Sequence, residues 1–332
     1  MAGSGPGVRM LCFFNECTDA AFNLAAEEYL LHHCLEDCCM LWRSRMAVII
    51  GRNQNPWSQL NASYVQRHGI PILRRLSGGG TVFQDDGNIN FSFIRRHTDG
   101  PSSDFRPFLE PVTAFLDARG LHVRTGKAGA LTLGDSKISG NAQYIYRGRT
   151  LHHGTLLFDV DLKRLRDTLA DRTAFYRDAG VDSIRKPVTN LKPFLPAFAD
   201  TSDFMAELFS FIRKFTRGRL GMLLPADRRK VNAMAQHKYR CWRWNFGRSP
   251  AYRLEKKALS GKRRLKSSLT VRGGIIVSVH FFDQARGGEA MSDLETALTG
   301  CRHTPADVLR TVAETPAPFS GITPEELIAV LF

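Results

Sequence analysis

Residues 70–94, IPILRRLSGGGTVFQDDGNINFSFI, set three consecutive glycines between two stretches of strand character, and this arrangement restricts the fold more than any other part of the chain. IPILRRL (70–76) is an apolar run of strand length, and NINFSFI (88–94) alternates polar with apolar residues, the period of a half-buried strand. The glycines therefore lie in a strand–loop–strand connection, unlike the strand–loop–helix of a Walker-type phosphate loop. Glycines let backbone N–H groups approach a ligand, and a neighbouring cation and hydroxyl make such a loop an anion cradle. Arg75, Ser77, Gly78, Gly79, Gly80 and Asn88 are the candidates for it.

Around this loop the sequence mixes strands with helices. TDAAFNLAAEEYLLHHCLE (18–36) opens on Thr-Asp cap candidates and continues in helix formers, and MAVIIG (46–51) reads as a buried strand. DFRPFLEPVTAFLDARG (104–120) predicts an amphipathic helix closed by Gly120. LTL, KISGNAQYIY and TLLFDVDL are strand-like, and DLKRLRDTLAD and SDFMAELFSFIRKFTRGRL return to helical spacing. A composition shift near 250 marks a second, small domain: LKSSLTVRGGIIVSVHFFD (265–283) predicts a hairpin turning at Gly273-Gly274. Ser292 with Glu295, Thr304-Pro305 and Thr323-Pro324 predict helix starts. The fold class expected is α+β with a mixed sheet, divided into a catalytic domain, 1–248, and an accessory domain, 249–332.

At 332 residues, 43% hydrophobic and 23% charged, the chain has the composition of a soluble globular protein and is long enough for a large domain plus a smaller one. It carries no apolar run of membrane-spanning length and no leader pattern, so a cytoplasmic protein without membrane contact is expected. Seven cysteines, an odd number with no CxxC pair, argue against a disulfide framework or zinc ribbon; HHCLEDCC (32–39), read as helical, lacks the second half of a metal site. The net charge of +14 points to an anionic partner, a nucleotide, nucleic acid or acidic protein. The densest basic run, RLEKKALSGKRRLK (253–266), has no interleaved aromatic residues for base stacking and reads as a solvated linker or strand edge.

GxxxxGK[ST], HExxH, GxSxG and a strand–helix GxGxxG are absent, which removes the common hydrolase and dehydrogenase readings. Four segments remain, each with small residues beside a cation, hydroxyl or amide: GRNQN (51–55), RRLSGGGTVFQDDGN (74–88), GDSKISGNAQ (134–143) and LHHGTLLFDVDL (151–162). Lys137, among small and apolar neighbours, suits stabilisation of negative charge developing on a carbonyl or phosphate, although from this segment alone a solvated lysine at a strand end is the commoner case. His152 and His153 precede an apolar strand, where a packed histidine is more frequent than a catalytic one.

Taken together, in order and spacing, the four segments resemble the lipoate-protein ligase A family. RRLSGGGTVFQDDGNINFSF looks like its signature loop, KISGNAQ like its catalytic-lysine segment, HHGTLLFDVDL like the strand that follows, and KYRCWRWNFGRSP (238–250) like the end of its large domain. The resemblance implies a biotin/lipoate ligase-type catalytic domain with a small C-terminal α+β domain. It implies that lipoate or octanoate and ATP, with Mg²⁺, give an acyl-adenylate, from which a specific lysine of an acceptor takes the acyl group. The acceptors implied are the lipoyl domains of 2-oxoacid dehydrogenase E2 subunits and the glycine-cleavage H protein. It makes Lys137 catalytic and assigns the acyl-adenylate and ATP to Arg75, Ser77, Gly78, Gly79, Gly80, Phe83, Asn88, Lys137, Ser139, Gly140, His153 and Thr155. A monomer is expected, with no metal site of its own.

The chain departs from the family at Gln84, where a histidine is frequent, and at Ala128-Gly129, where the family commonly has Asn-Asp. Either Asp135 substitutes for the missing pair, or the protein chiefly transfers a preformed adenylate. A transferase of the same fold using a preformed acyl donor is therefore the nearest alternative. Its carrier-dependent form typically needs a cysteine nucleophile, and the cysteines here lie away from the pocket motifs. A biotin ligase fits less well, since its phosphate-loop pattern differs. A nucleic-acid-binding protein would also account for the charge, and would predict phosphate contacts spread along one basic face.

Overall fold

The computed structural model describes residues 10–96, 104–126, 129–169, 175–183, 186–260, 263–283, 291–315 and 322–332. They group into two compact units, each discontinuous in sequence: the described parts of Met1–Gly51, Leu73–Leu162 and Ile184–Arg240, and those of Arg52–Ile72, Lys163–Ser183 and Cys241–Phe332. Where the sequence suggests a single break at 248/249, the second unit also takes in two earlier segments. Trp57 is one reason: its ring stacks on Phe246 at 5.5 Å, meets Phe332 at 4.9 Å and donates Nε1–H to the His303 carbonyl at 2.8 Å. The other is the strand Phe175–Asp178, which pairs with Tyr252–Ser260.

A mixed six-stranded sheet organises the first unit, in the order Asn141–Tyr146, Arg149–Leu157, Asn88–Arg96, Cys38–Arg43, Leu11–Asn15, Arg219–Gly221. Leu11–Asn15 runs parallel to both its neighbours, and the other pairs are antiparallel. The alternation in NINFSFI suggests one solvated face, but residues 88–94 are buried throughout. Ile89, Phe91 and Phe93 enter an apolar core with Phe108, Val112 and Phe115 of the helix Arg106–Asp117 and Phe204 and Leu208 of the helix Thr201–Phe215. Asn88, Asn90 and Ser92 face the other way: Ser92 donates to Glu27 of the helix Ala20–His33, and Asn90 accepts from Asn88 and Gln84.

That helix is capped by Asp19, whose side chain accepts from the Ala21 and Phe22 amides, and it is buried on all sides from Ala20 to Leu31, including Asn23, Glu27 and Glu28. Lys238 donates to Glu28 at 2.7 Å and Tyr239 at 2.8 Å, so the KYR segment singled out by sequence serves to neutralise a buried carboxylate. HHCLEDCC is not one helix: the helix ends at His33, and Cys38 and Cys39 begin the strand Cys38–Arg43.

In the second unit an antiparallel four-stranded sheet runs in the order Phe175–Asp178, Tyr252–Ser260, Arg263–Arg272, Ile275–Asp283. Gly273 and Gly274 have φ of 56° and 74°, the left-handed pair that a two-residue hairpin turn requires. The described residues of the basic run 253–266 fall on the paired strands Tyr252–Ser260 and Arg263–Arg272. Thr304 caps the helix Pro305–Glu314, and Thr323 with Glu326 forms a capping box on Pro324–Leu331. Ser292 with Glu295 forms none. The Glu295 carboxylate accepts instead from the strand amide of Phe281 at 2.8 Å, and Met291 occupies the cap position of the helix Ser292–Leu298.

Candidate active site

The glycine loop joins the strands Ile72–Arg74 and Val82–Gln84 and is held from behind. Arg75 is buried, and its guanidinium donates to the carbonyls of Ile49 at 3.2 Å, Gly78 at 2.5 Å and Gly80 at 2.8 Å, and to Ser77 Oγ at 3.0 Å. Sequence places Arg75 against an anion; the structure spends it on the loop's own carbonyls. Because a peptide's C=O and N–H point in opposite directions, turning the Gly78 and Gly80 carbonyls toward Arg75 turns the Gly79 and Thr81 N–H groups away from it. Burial lowers the Arg75 pKa to about 10 against the opposing pull of the Glu27 carboxylate, which leaves it cationic at neutral pH. Gly51, from the GRNQN segment, lies under the same loop: a Cβ there would stand 2.0 Å from the Gly79 carbonyl oxygen.

The adjacent histidines are separated by the alternation of their strand. His153, on the polar face, places Nε2 2.6 Å from Ser77 Oγ and Nδ1 3.1 Å from both Glu27 carboxylate oxygens. Glu27 also accepts from Ser92 Oγ at 2.5 Å, and Ser92 accepts from the Trp42 indole at 3.0 Å. His152 projects into the apolar face, stacked on Phe108 at 5.0 Å, with Gln143 and Asn141 on its ring nitrogens. Burial first, then the charges of His153 and Arg95, lower its pKa to about 3, so it remains neutral. Of the pair, only His153 reaches the loop.

Lys137 lies on the short strand Ser136–Ser139, with its backbone tied to Pro187 and Thr189. Its ammonium sits over Gly140, where a Cβ would come 3.1 Å from Nζ and 3.3 Å from Cε. Gly140 in turn exchanges bonds with Thr155, its amide donating to Oγ1 at 3.2 Å and its carbonyl accepting from the Thr155 amide at 3.0 Å. Among the described residues Nζ has no hydrogen-bond acceptor or carboxylate partner. Burial lowers the Lys137 pKa, and the nearby charges of Lys186 and Arg75 lower it further. A partly buried cation with no counter-ion is a place made for an anion.

The other candidates support this centre or stand apart from it. Ser139 is fully buried and accepts from Asn141 at 2.9 Å. Asn88 bonds Asn90 at 3.2 Å, and in this buried amide cluster Asn88 Oδ1, Gln84 Oε1 and Asn90 Nδ2 have no partner among the described residues. Phe83 is buried on its strand opposite Val48. Of the Ala128-Gly129 pair, Ala128 lies outside the described residues; Gly129 has φ +70°, a Cβ on it would meet Phe105 at 2.4 Å, and its carbonyl accepts from Asn141 at 2.7 Å. Asp135, the other carboxylate that sequence offers near this loop, has a fully exposed side chain 3.7 Å from Arg124. The residue that sequence reading passed over is Glu27, and its signal was there: adjacent glutamates inside the otherwise apolar helix AAFNLAAEEYLL.

The family pattern described as the lipoyl protein ligase A/B catalytic domain matches residues 19–213, and that of the bacterial lipoate protein ligase C-terminus matches 249–331. Lipoate–protein ligase 1 of Staphylococcus aureus is 33% identical over 291 residues, covering 87% of this chain and 89% of that protein. Two solved structures share the fold at 23% identity. One is the bipartite lipoate protein ligase of Thermoplasma acidophilum, studied with its E2 lipoyl domain (TM-score 0.61, covering 72% of this chain and 96% of that one). The other is a lipoate-protein ligase A bound with ATP (TM-score 0.59, 71% and 97%). The matched span 19–213 includes the glycine loop, Lys137 and the His153 strand, and the chain belongs to the lipoate–protein ligase family.

Proposed function

We propose that this protein activates lipoate or octanoate with ATP and passes the acyl group to the lysine of a lipoyl domain, with Lys137 as the catalytic cation. The observation that carries this reading is the ammonium of Lys137, half-buried over Gly140 with no counter-ion among the described residues. In the first step a carboxylate oxygen of the acid bonds to the α-phosphorus of ATP and pyrophosphate leaves with the electrons of the broken P–O bond. In the second, the acceptor amine attacks the carbonyl carbon, the bond to AMP breaks, and the amine proton passes to AMP or water. Negative charge grows on the carbonyl oxygen in the second step and on the phosphate oxygens in both, and a mobile ammonium can follow it.

In this reading Ser77, the backbone of Gly78, Gly79 and Gly80, Gly140, Ser139 and Thr155 shape the adenylate pocket, with Arg75 and His153 setting the loop. Asn88 serves the nucleotide and Phe83 the acyl tail. Mg²⁺ would enter with ATP and supply neutralisation of the phosphate charge; among the described residues no group of carboxylates, histidines or cysteines is placed to hold it, and the cradle itself offers donors and cations. The catalytic part would end near 248 and the accessory domain occupy 249–332. A monomer acting in the cytoplasm on E2 lipoyl domains and the glycine-cleavage H protein completes the proposal, and seven free thiols suit a reducing compartment.

One observation favours a narrower reading: with Asp135 exposed and Gly129 packed under Phe105, no carboxylate stands where the family commonly has one. The protein would then transfer a supplied adenylate without making it. Lipoate-dependent pyrophosphate release from ATP, with and without an apo lipoyl domain, decides between the two. Release together with acylated domain establishes the complete ligase; no release, but acylation from synthetic lipoyl-AMP, establishes the transferase. Acylation from neither donor rejects both.

A further inference from the structure

The polar side of the sheet holds a chain of hydrogen bonds whose direction is set by donors at its two ends. At one end the Trp42 indole can only donate, so Ser92 Oγ accepts from it and gives its own hydrogen to Glu27. At the other end the Arg75 guanidinium can only donate, and its Nε–H goes to Ser77 Oγ. Between them, Glu27 is 2% exposed and His153 8% exposed. With the imidazole neutral, one order satisfies every atom: Nδ1–H donates to the Glu27 carboxylate, and Nε2 accepts the hydroxyl hydrogen of Ser77.

We propose that Glu27 is a positioning residue for acyl transfer, acting through His153 on Ser77 and hence on the glycine loop. Its carboxylate selects the Nδ1–H tautomer; His153 Nε2 then fixes the Ser77 hydroxyl, and Ser77 with Arg75 holds the peptide planes of Gly78 and Gly80 in the orientation that turns the Gly79 and Thr81 amides outward. Glu27 touches no substrate itself. Arg75 stands beyond Ser77, and His152, kept neutral by burial, precedes His153 on the opposite face of the strand. This rests on reading the glycine loop as the adenylate cradle.

The test begins with the unmodified protein labelled with ¹⁵N-histidine, at about pH 8.5, above the ordinary imidazole range. The His153 signals are expected to show a protonated Nδ1 and a bare Nε2, and a protonated Nε2 overturns the proposal. Kinetics follow, with synthetic lipoyl-AMP and an apo lipoyl domain. Glu27→Gln keeps the shape and removes the charge, and is expected to lower kcat about 10²-fold in protein that remains folded at the assay temperature. In a His153→Asn background the same change is expected to cost nothing more. Equal losses in both backgrounds would show that Glu27 acts independently of His153 and would overturn the proposal, as would a wild-type rate for Glu27→Gln. Failure of the unmodified protein to use lipoyl-AMP strikes instead at the functional reading, and the tautomer result stands apart from it.

Discussion

Gly140 lies directly beneath the ammonium of Lys137, close enough that a methyl group at 140 would come 3.1 Å from Nζ. The contact is with the end of a flexible side chain, so Gly140→Ala can be accommodated by moving the lysine and not the backbone. The expected outcome is a split: unfolding free energy within about 0.5 kcal/mol of wild type, and acyl transfer slowed about 10²-fold because the cation is displaced. Urea titration and a transfer assay on the same preparation check it; a normal rate would mean that the ammonium is not needed where it stands.

Lys137→Met removes the charge and keeps the stem. Transfer and adenylation should fall by about 10²–10³, the range for a lost oxyanion stabiliser. The unliganded protein should become more stable, since burial disfavours the charged form of this lysine and Met has no such penalty. A melting curve without ligand tests the second half, and a lower melting temperature would contradict it.

Gly51→Ala places a methyl group 2.0 Å from the Gly79 carbonyl oxygen, where only backbone movement can relieve the contact. It should cost about 1–3 kcal/mol of stability and, by shifting the loop, weaken adenylate binding as well. Isothermal titration with a non-hydrolysable adenylate analogue reads the binding loss, and an unaltered affinity would separate Gly51 from the loop.

His152 gives the catalytic unit an acid sensitivity of defined sign. Its folded pKa of about 3 lies below the ordinary 6.5, so the unfolded chain takes up a proton that the folded chain refuses. The contribution is complete above about pH 6.5 and is lost as pH falls from there toward 3, at about 1.4 kcal/mol per unit. Between about pH 7 and pH 5 the wild type should lose about 2 kcal/mol more stability than His152→Gln. Equal losses in parallel denaturation experiments would mean that the buried ring does protonate.

How much of this was legible in the sequence depends on the range of the interactions concerned. Helix Ala20–His33, the strand Asn88–Arg96, the Gly273-Gly274 turn and the Thr304 and Thr323 caps follow from period and from local backbone chemistry, and each reads correctly from a contiguous stretch of fewer than twenty residues. The glycine loop and Lys137 were also visible, because motifs of small residues around a cation leave a local trace. Ser292 misled, since its partner Glu295 found a better donor on a neighbouring strand.

What only the tertiary structure decided is which polar groups meet. The Glu27–His153 contact spans 126 residues and that of His153 with Ser77 spans 76, and no local pattern encodes either. Tertiary packing also assigned Arg75 to the loop carbonyls and sent the two adjacent histidines to opposite faces. A strand fixes the alternation of its side chains, but only the layers packed against the sheet determine which face is apolar and which is polar. The sequence thus determined the elements and the chemistry available to them; the sheet and the helix buried against it determined which of those groups act together.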